Sequence, residues 1–470
     1  MAKKHLIAKD CMPFYQKGVE QAKMAFQANA LSEALALLND VDYCLPVGKQ
    51  RHRNDDSKIA YSPYENKPYT FPDGTSARVW QAGRYIGEVV MGETRVTIKP
   101  RFGEQCLLAM LNDICHFKYV PSANTQGSGK DWNEIVKHIV RYLWIQKFAQ
   151  ADRYGLPRLT VKHQHQGLQV RGHLNPSKTL LPFFAHREVV SEFRTKETDH
   201  RIGKIIYAAY HLLAKGGFSR DLIPPHIQDS LNTLSTTYHG KDCTVCEDEY
   251  QTIRYKRIYQ SWKPLTDFSW QILKQRSFSM TNSIEQQGSS LLLDMAEIWE
   301  SFLRNHIGAI LATDDFGNWT TVPQTECATQ VYGSQFYHRE IIPDLLFQRS
   351  YEGKTQYIIL DAKYKRMKGQ KVDVDRGDFF QIHSYIQYYA SLKNAEVVLG
   401  GLLYPLESLD VDKHNWQASS LFDLTEGNTK FVVDGIFLND IPSNSDSPET
   451  ISLVLHQRIE QMVKAWNIHG

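Results

Sequence analysis

The chain has 470 residues, of which 42% are apolar and 23% charged, and its formal net charge is only +2. That length predicts two or three domains with ordinary hydrophobic cores. Near-neutral charge excludes nucleic-acid binding driven by bulk basicity, so a basic surface must come from local clustering, and no apolar run is long enough to span a membrane. Seven cysteines scattered along the chain predict reduced thiols and a cytoplasmic location. The opening residues, Met1 to His5, lead into no apolar stretch, so no signal peptide is expected.

Residues 1–44 carry apolar side chains at helical spacing (Val19, Ala22, Phe26, Leu31, Ala34, Leu37). With the polar, irregular stretch that follows they make an N-terminal segment, 1–75. A β-rich module is expected over 76–125. Arg78 to Gln81 and Tyr85 to Val90 alternate as strands do, Met91-Gly92-Glu93 supplies a turn, and Thr94 to Lys99 returns until Pro100 ends it. Gly127 to Lys130 has the look of a phosphate loop but fails the pattern. A glycine is needed where Asn124 stands, and a Ser or Thr where Asp131 stands. The chain is therefore expected to have no nucleotide site of its own; any nucleotide belongs to a partner.

Residues 126–285 read as a mainly helical middle region. Trp132 to Phe148 has helical periodicity, Leu159 to Val170 looks like strands, and Arg171-Gly172-His173 closes a turn. Glu192 to Leu213 is predicted as a long amphipathic helix entered through Asp199 and His200. Cys243 and Cys246 form a lone C-x-x-C, without the second pair of ligands that a zinc site needs. Arg254, Lys256, Arg257 and Lys263 interleave with Tyr255, Tyr259 and Trp262. Such residues can grip a phosphate backbone and stack on bases. On one helix the three aromatics equally form a packing stripe beneath a solvated basic face.

The chemistry is concentrated in residues 286–470. Leu291 to Ile307 is predicted as a helix whose stripe Leu293, Ala296, Glu300, Leu303, Ile307 contains one charge, Glu300. Glu297 falls instead on a polar face with Asp294, Ser301 and Arg304. A carboxylate aimed inward is costly unless it is paired or metal-bound; a Glu snorkelling at a domain seam has the same pattern.

Two apolar runs then flank a polar segment around Gly353 and predict a hairpin. Asp344 lies in the first run, and Asp361 and Lys363 end the second, sharing one face. A hairpin closed near residue 352 brings Asp344 close to Asp361. Two buried carboxylates repel each other unless a cation sits between them. Oxygen ligands without thiolate or imidazole suit Mg²⁺, an ion able to polarise a phosphoryl oxygen and lower the pKa of a bound water. Lys363 can hold that water or neutralise a phosphate. A surface hairpin with an ordinary Asp–Lys pair is the other reading of the same residues.

Beyond the hairpin, Lys365, Arg366, Lys368, Lys371 and Arg376 crowd a polar loop suited to phosphate contact or to solvation alone. Asp378 to Tyr389 reads as a helix on which Gln381 and Tyr385 face the same way. Glu396 to Tyr404 reads as a buried strand, residues 408–450 as irregular apart from a strand near Lys430 to Phe437, and Ile451 to Ile468 as a closing helix.

Pro343-Asp344 followed by Asp361-Ala362-Lys363 resembles the signature of the PD-(D/E)xK nuclease superfamily. The order helix, hairpin, strand, helix, strand is what that superfamily's core requires. The expected fold is therefore α/β: a C-terminal nuclease core with a mixed sheet flanked by helices, behind the β-rich module and the helical middle region. More widely, the chain is similar to the McrC family, the nuclease subunit of modification-dependent restriction systems. The residues that carry the similarity are Asp294 to Phe302, Pro343-Asp344, Leu360 to Tyr364, Gln381 to Tyr385 and Gly400 to Pro405, with Tyr85 to Val90, Val170 to Leu174 and Asp199-His200 upstream.

The resemblance implies a Mg²⁺-dependent endonuclease that cuts double-stranded, modified DNA within a complex with an McrB-like AAA+ GTPase ring. It implies that the chain docks on the ring through its N-terminal region and stimulates hydrolysis there. Asp344 and Asp361 would ligate Mg²⁺, Lys363 would position the water, and Glu300 would be an auxiliary ligand. Gln381 and Tyr385 would brace the DNA or the lysine, and Lys365, Arg366, Lys368 and Lys371 would meet the DNA backbone. A catalytically silent activator of an NTPase ring, built on the same fold, is the alternative.

Overall fold

Strand-forming residues far apart in sequence meet in two six-stranded sheets. The structure is a computed structural model and describes residues 4–16, 35, 44–45, 58–65, 68–71, 76–91, 94–115, 132–214, 223–243, 246–280, 291–327, 329–330, 340–367, 374–407, 422–426, 429–438 and 448–468. The periodic apolar residues between 19 and 37, the Gly92-Glu93 half of the first turn, the Gly127–Lys130 loop, Lys368 and Lys371 lie outside the described residues. The chain divides into two units: Met1–Val136 together with Asn282–Gly470, and Lys137–Thr281. The N-terminal stretch, the β-rich module and the whole C-terminal region thus belong to one unit.

In that unit the first sheet is built from β1 (Lys4–Lys9), β2 (Tyr85–Met91), β3 (Thr94–Lys99) and β4 (Leu291–Asp294), with the short edge strands Tyr15–Gln16 and Cys44–Leu45, and with α1 (Glu104–Cys115) after β3 and α2 (Met295–Leu311) after β4. β1 pairs parallel with β3, β3 antiparallel with β2, and β2 antiparallel with β4. Leu6, Val89, Val96, Ile98 and Leu292 share its core.

β4 corrects one expectation. Residues 291–294 extend the sheet rather than opening a helix. Asp294 ends the strand and caps α2, accepting the Ala296 N–H at 2.9 Å, as N-cap acids do. Lys4–Lys9 likewise is strand where helical spacing was expected from the first 44 residues.

The second sheet runs Thr320–Thr321, β5 (Leu345–Tyr351), β6 (Lys354–Ala362), β7 (Ala395–Leu406), β9 (Thr429–Phe437), β8 (Phe422–Glu426). It is mixed: β5–β6 and β8–β9 are antiparallel, β6–β7 and β7–β9 parallel. The β5–β6 turn is Glu352-Gly353, with φ of 49° and 78°, the left-handed pair that a two-residue hairpin demands. α3 (Arg376–Ala390) covers one face, its Ile382 and Tyr389 meeting Leu346, Ile359, Val397 and Leu402. Successive strand residues point to opposite faces, and α2 lies on the Phe347 side, where Gly308 approaches that ring. Covered on both faces, residues 358–362 of β6 are all buried, as their unbroken apolar run requires. α4 (Pro448–Ala465) packs on α1, α2 and β9.

The second unit holds helices Trp132–Ala151, His200–Ala214, Pro225–Tyr238 and Trp262–Met280 around buried Trp144, Phe148, Trp262 and Phe268. It also holds a three-stranded sheet, so it is less purely helical than its composition suggests. Residues 192–198 belong to strand Val189–Thr198, paired with Arg158–Gly167. The helix begins at His200, at the expected Asp199-His200 entry, where Asp199 accepts the Arg201 N–H at 3.0 Å and caps it. Tyr255, Tyr259 and Trp262 do not share a helix: Arg257–Tyr259 is a single 3₁₀ turn and the helix starts at Trp262. Trp262 is buried, donating its indole N–H to the Gly155 carbonyl at 3.2 Å. No helix among the described residues is long and apolar enough to cross a membrane.

Candidate active site

The hairpin register pairs Leu345 with Leu360, so Asp344 and Asp361 end adjacent strands side by side. Both are buried, Asp361 to 1% exposure. Asp344 accepts the Ala362 N–H at 3.0 Å through Oδ2. The pKa of Asp361 is pushed up to about 8, first by loss of water and then by the charge of Asp344. This is the repulsion expected of two acids at one buried sheet end.

Lys363 continues the strand, donating its N–H to the Leu403 carbonyl at 2.9 Å. Its Nζ lies 2.5 Å from Asp361 Oδ2 and 3.6 Å from Asp378. Asp361 Oδ2 is thus held in a short buried ion pair with the ammonium. Burial works against the charge of Lys363, but Asp361, Asp378 and Asp344 outweigh it and raise its pKa.

α3 brings the next two residues. Lys363 Nζ donates to Gln381 Oε1 at 2.9 Å, and Gln381 Nε2 donates to Tyr385 Oη at 2.7 Å. An ammonium only donates, which fixes which end of the Gln381 amide faces it. Glycine lets α3 come this close: a Cβ on Gly400 of β7 would lie 2.2 Å from Ile386 Cδ1.

Glu300 is buried on α2, as its stripe predicted. Its carboxylate receives Arg304, one turn along, and Gln324 Nε2 at 2.7 Å. No group of three His, Cys, Asp or Glu able to hold a metal occurs among the described residues. Arg304, expected on a separate polar face, instead turns to Glu300, and its Nε and Nη2 donate to the Asp344 carbonyl at 3.1 and 2.6 Å. Glu300 therefore bears on the site through Arg304, which holds the Asp344 backbone.

The basic loop divides. Arg366 is taken up by Glu407, with its Nε at 3.0 Å and Nη2 at 2.7 Å, and is mostly withdrawn from solvent. Lys365 is exposed but pairs with both oxygens of Asp378 at 3.0 and 2.8 Å. Asp378, Arg304 and Gln324 escaped the sequence reading. Arg304 alone left a signal, its i+4 spacing from Glu300.

Two adjoining buried carboxylates with no sulfur or imidazole beside them form a hard-oxygen donor set that fits Mg²⁺, which takes one or two carboxylates and keeps water or phosphate for the rest.

No curated protein matches the chain. Among solved structures it is similar to a chain of the refined half-complex from the tetradecameric assembly of Thermococcus gammatolerans McrB AAA+ hexamers with bound McrC. There the identity is 13% and the TM-score 0.48, covering 98% of this chain and 99% of that one. It is also similar to a chain of the Thermococcus gammatolerans McrBC complex, at 14% identity and a TM-score of 0.36, covering 66% of this chain and 88% of that one. Residues 80–405 match the family model described as the McrBC 5-methylcytosine restriction system component, and with well over half its length inside that match the chain belongs to this family.

Proposed function

We propose that the chain is the DNA-cutting subunit of its restriction system, a PD-(D/E)xK endonuclease that hydrolyses phosphodiester bonds with Mg²⁺ held by Asp344 and Asp361. The observation that carries this reading is the buried pair of carboxylates with Lys363 against Asp361. The mixed order β5–β6–β7–β9, with α2 and α3 on opposite faces, agrees with such a core. A silent activator has no physical use for two acids whose mutual repulsion only costs stability.

An ion held by Asp344 and Asp361 would supply positive charge to a phosphoryl oxygen and would acidify a water. The chain's own groups do the rest. Lys363 stays protonated, because the acids around it favour the charged form. As an ammonium it serves as a donor to the attacking water or to a phosphate oxygen. Gln381, held by Tyr385, fixes the ammonium. Arg304, braced by Glu300, fixes the backbone that carries Asp344. Lys365 contributes surface charge to a DNA backbone, whereas Arg366 serves the fold.

The partner in this reading is an McrB-like AAA+ GTPase ring. Support comes from the second unit as well as from the family. Its helix Pro176–His186 buries no residue, and Leu168, Val170, Leu174, Leu180, Leu181 and Phe184 are all exposed beside it. Apolar surface on that scale marks an interaction site.

Asp361→Ala, purified with its partner and GTP, should bind DNA and stimulate GTP hydrolysis as the native chain does while cutting at least about 1,000-fold more slowly, a loss of some 4 kcal/mol in the barrier. Undiminished cutting by this variant would refute the assignment.

A further inference from the structure

Arg101 is the most deeply buried cation in contact with the segment that carries Lys363. It follows β3, and its side chain is 1% exposed. Two acids flank it: Asp10, at the end of β1, lies 3.6 Å from Nε, and Glu407, beyond β7, lies 3.4 Å from Nη1. Neither contact is an aligned hydrogen bond, and both Nε and Nη1 are without one. The aligned bond that the guanidinium does make goes from Nη2 to the Lys365 carbonyl at 3.2 Å. Its Cζ also stands 4.7 Å over the Tyr364 ring and 4.6 Å over Phe102. Asp10 fixes Arg101 from behind, accepting its backbone N–H at 2.6 Å, and donates its own N–H to the Lys99 carbonyl at 3.0 Å. Glu407 is held in turn by Arg366.

Burying four charges between two sheets is costly, and an apolar cluster of similar volume would hold the sheets together as well or better. What apolar packing lacks is direction. Here the directed contacts converge on Tyr364 and Lys365, the two residues that follow Lys363.

We propose that Arg101 is a positioning residue for cleavage, through which the first sheet fixes the Tyr364–Lys365 backbone and so the placement of the Lys363 ammonium. The inference rests on the catalytic reading of Lys363, and it makes the N-terminal sheet part of the working site.

Arg101→Lys tests it. A lysine keeps the charge between Asp10 and Glu407, so the unpaired acids that would unfold an apolar variant do not arise, but it loses the fork that reaches the Lys365 carbonyl. In the full chain without metal or DNA, hydrogen exchange over residues 361–367 should speed up by about tenfold or more while exchange in β9 stays unchanged. With partner, GTP and Mg²⁺, the maximal cleavage rate should fall by about 10- to 100-fold, as a misplaced catalytic group predicts, with DNA affinity in Ca²⁺ unaltered. Arg84→Lys serves as the control, since Arg84 belongs to the same sheet and pairs with Asp294 at 2.9 Å; it should change neither quantity. Native exchange over 361–367 in Arg101→Lys overturns the proposal whatever the cleavage result, and so does altered exchange with a native cleavage rate. If the native chain and Asp361→Ala cut alike, the nuclease reading fails, and the exchange result alone still decides whether Arg101 clamps this segment.

Discussion

At Asp361, burial and the neighbouring Asp344 have a measurable consequence without metal. The carboxyl titrates at about 8 in the folded chain against an ordinary value of 3.8, so between those values the folded state holds a proton that the unfolded state has released. The contribution to stability is therefore complete below about pH 4 and is lost as the pH rises through about 8, with a slope of at most about 1.4 kcal/mol per pH unit. Denaturant titrations of the metal-free chain at pH 5, 7 and 9 should show that loss, and Asp361→Asn should flatten it. Parallel pH dependence in the two proteins would mean that the acids do not share a buried site. Saturating Mg²⁺ should also flatten the native curve, because a cation between the carboxylates replaces the proton.

Among the elements, α3 and β7 show how glycine separates stability from alignment. A Cβ on Gly401 would lie 2.3 Å from the Val432 carbonyl oxygen, so the parallel β7–β9 ladder itself must shift. A Cβ on Gly400 would meet the end of the Ile386 side chain, which lies on the helix that carries Gln381 and Tyr385. Gly401→Ala should accordingly cost about 1–3 kcal/mol of stability, as overpacking does. Gly400→Ala should lift α3 and lower the cleavage rate more than the unfolding free energy. Equal ratios of activity loss to stability loss in the two variants would show that α3 does not align the lysine.

These elements also mark how far the sequence can be read. The β5–β6 hairpin and the Asp344, Asp361, Lys363 set follow from two apolar runs flanking a polar segment around Gly353, a local signal. Gln381 and Tyr385 follow from helical spacing. β4 does not, because three leucines before a helix cannot be told from its first turn. Residues 192–198 were lost to the same ambiguity. Arg101 could not be found at all, since its partner Lys365 is 264 residues away and nothing local distinguishes a buried arginine from a solvated one.

For the molecule as a whole, a net charge of +2 conceals an uneven distribution. Residues 158–198 of the second unit contain seven Lys or Arg against three Glu, on the same small sheet and helix that leave their apolar residues open. Leu181 and Phe184 are 85% and 81% exposed, and no gain in folding stability repays that exposure. An element that combines open apolar residues with an excess of basic ones fits a partner face of the opposite pattern, apolar with acidic residues. The double variant Leu181→Asp with Phe184→Asp removes open apolar side chains at positions where the fold has little to lose. It should unfold within a degree or two of the native midpoint, since surface changes away from packed features usually cost under about 0.5 kcal/mol. It should nevertheless fail to co-elute with the AAA+ ring, leave GTP hydrolysis unstimulated and cut no DNA in the presence of ring and nucleotide. Asp361→Ala should lose only the last of these three activities. A double variant that still binds and stimulates the ring would return the docking surface to the N-terminal β-rich module, where the family resemblance first placed it.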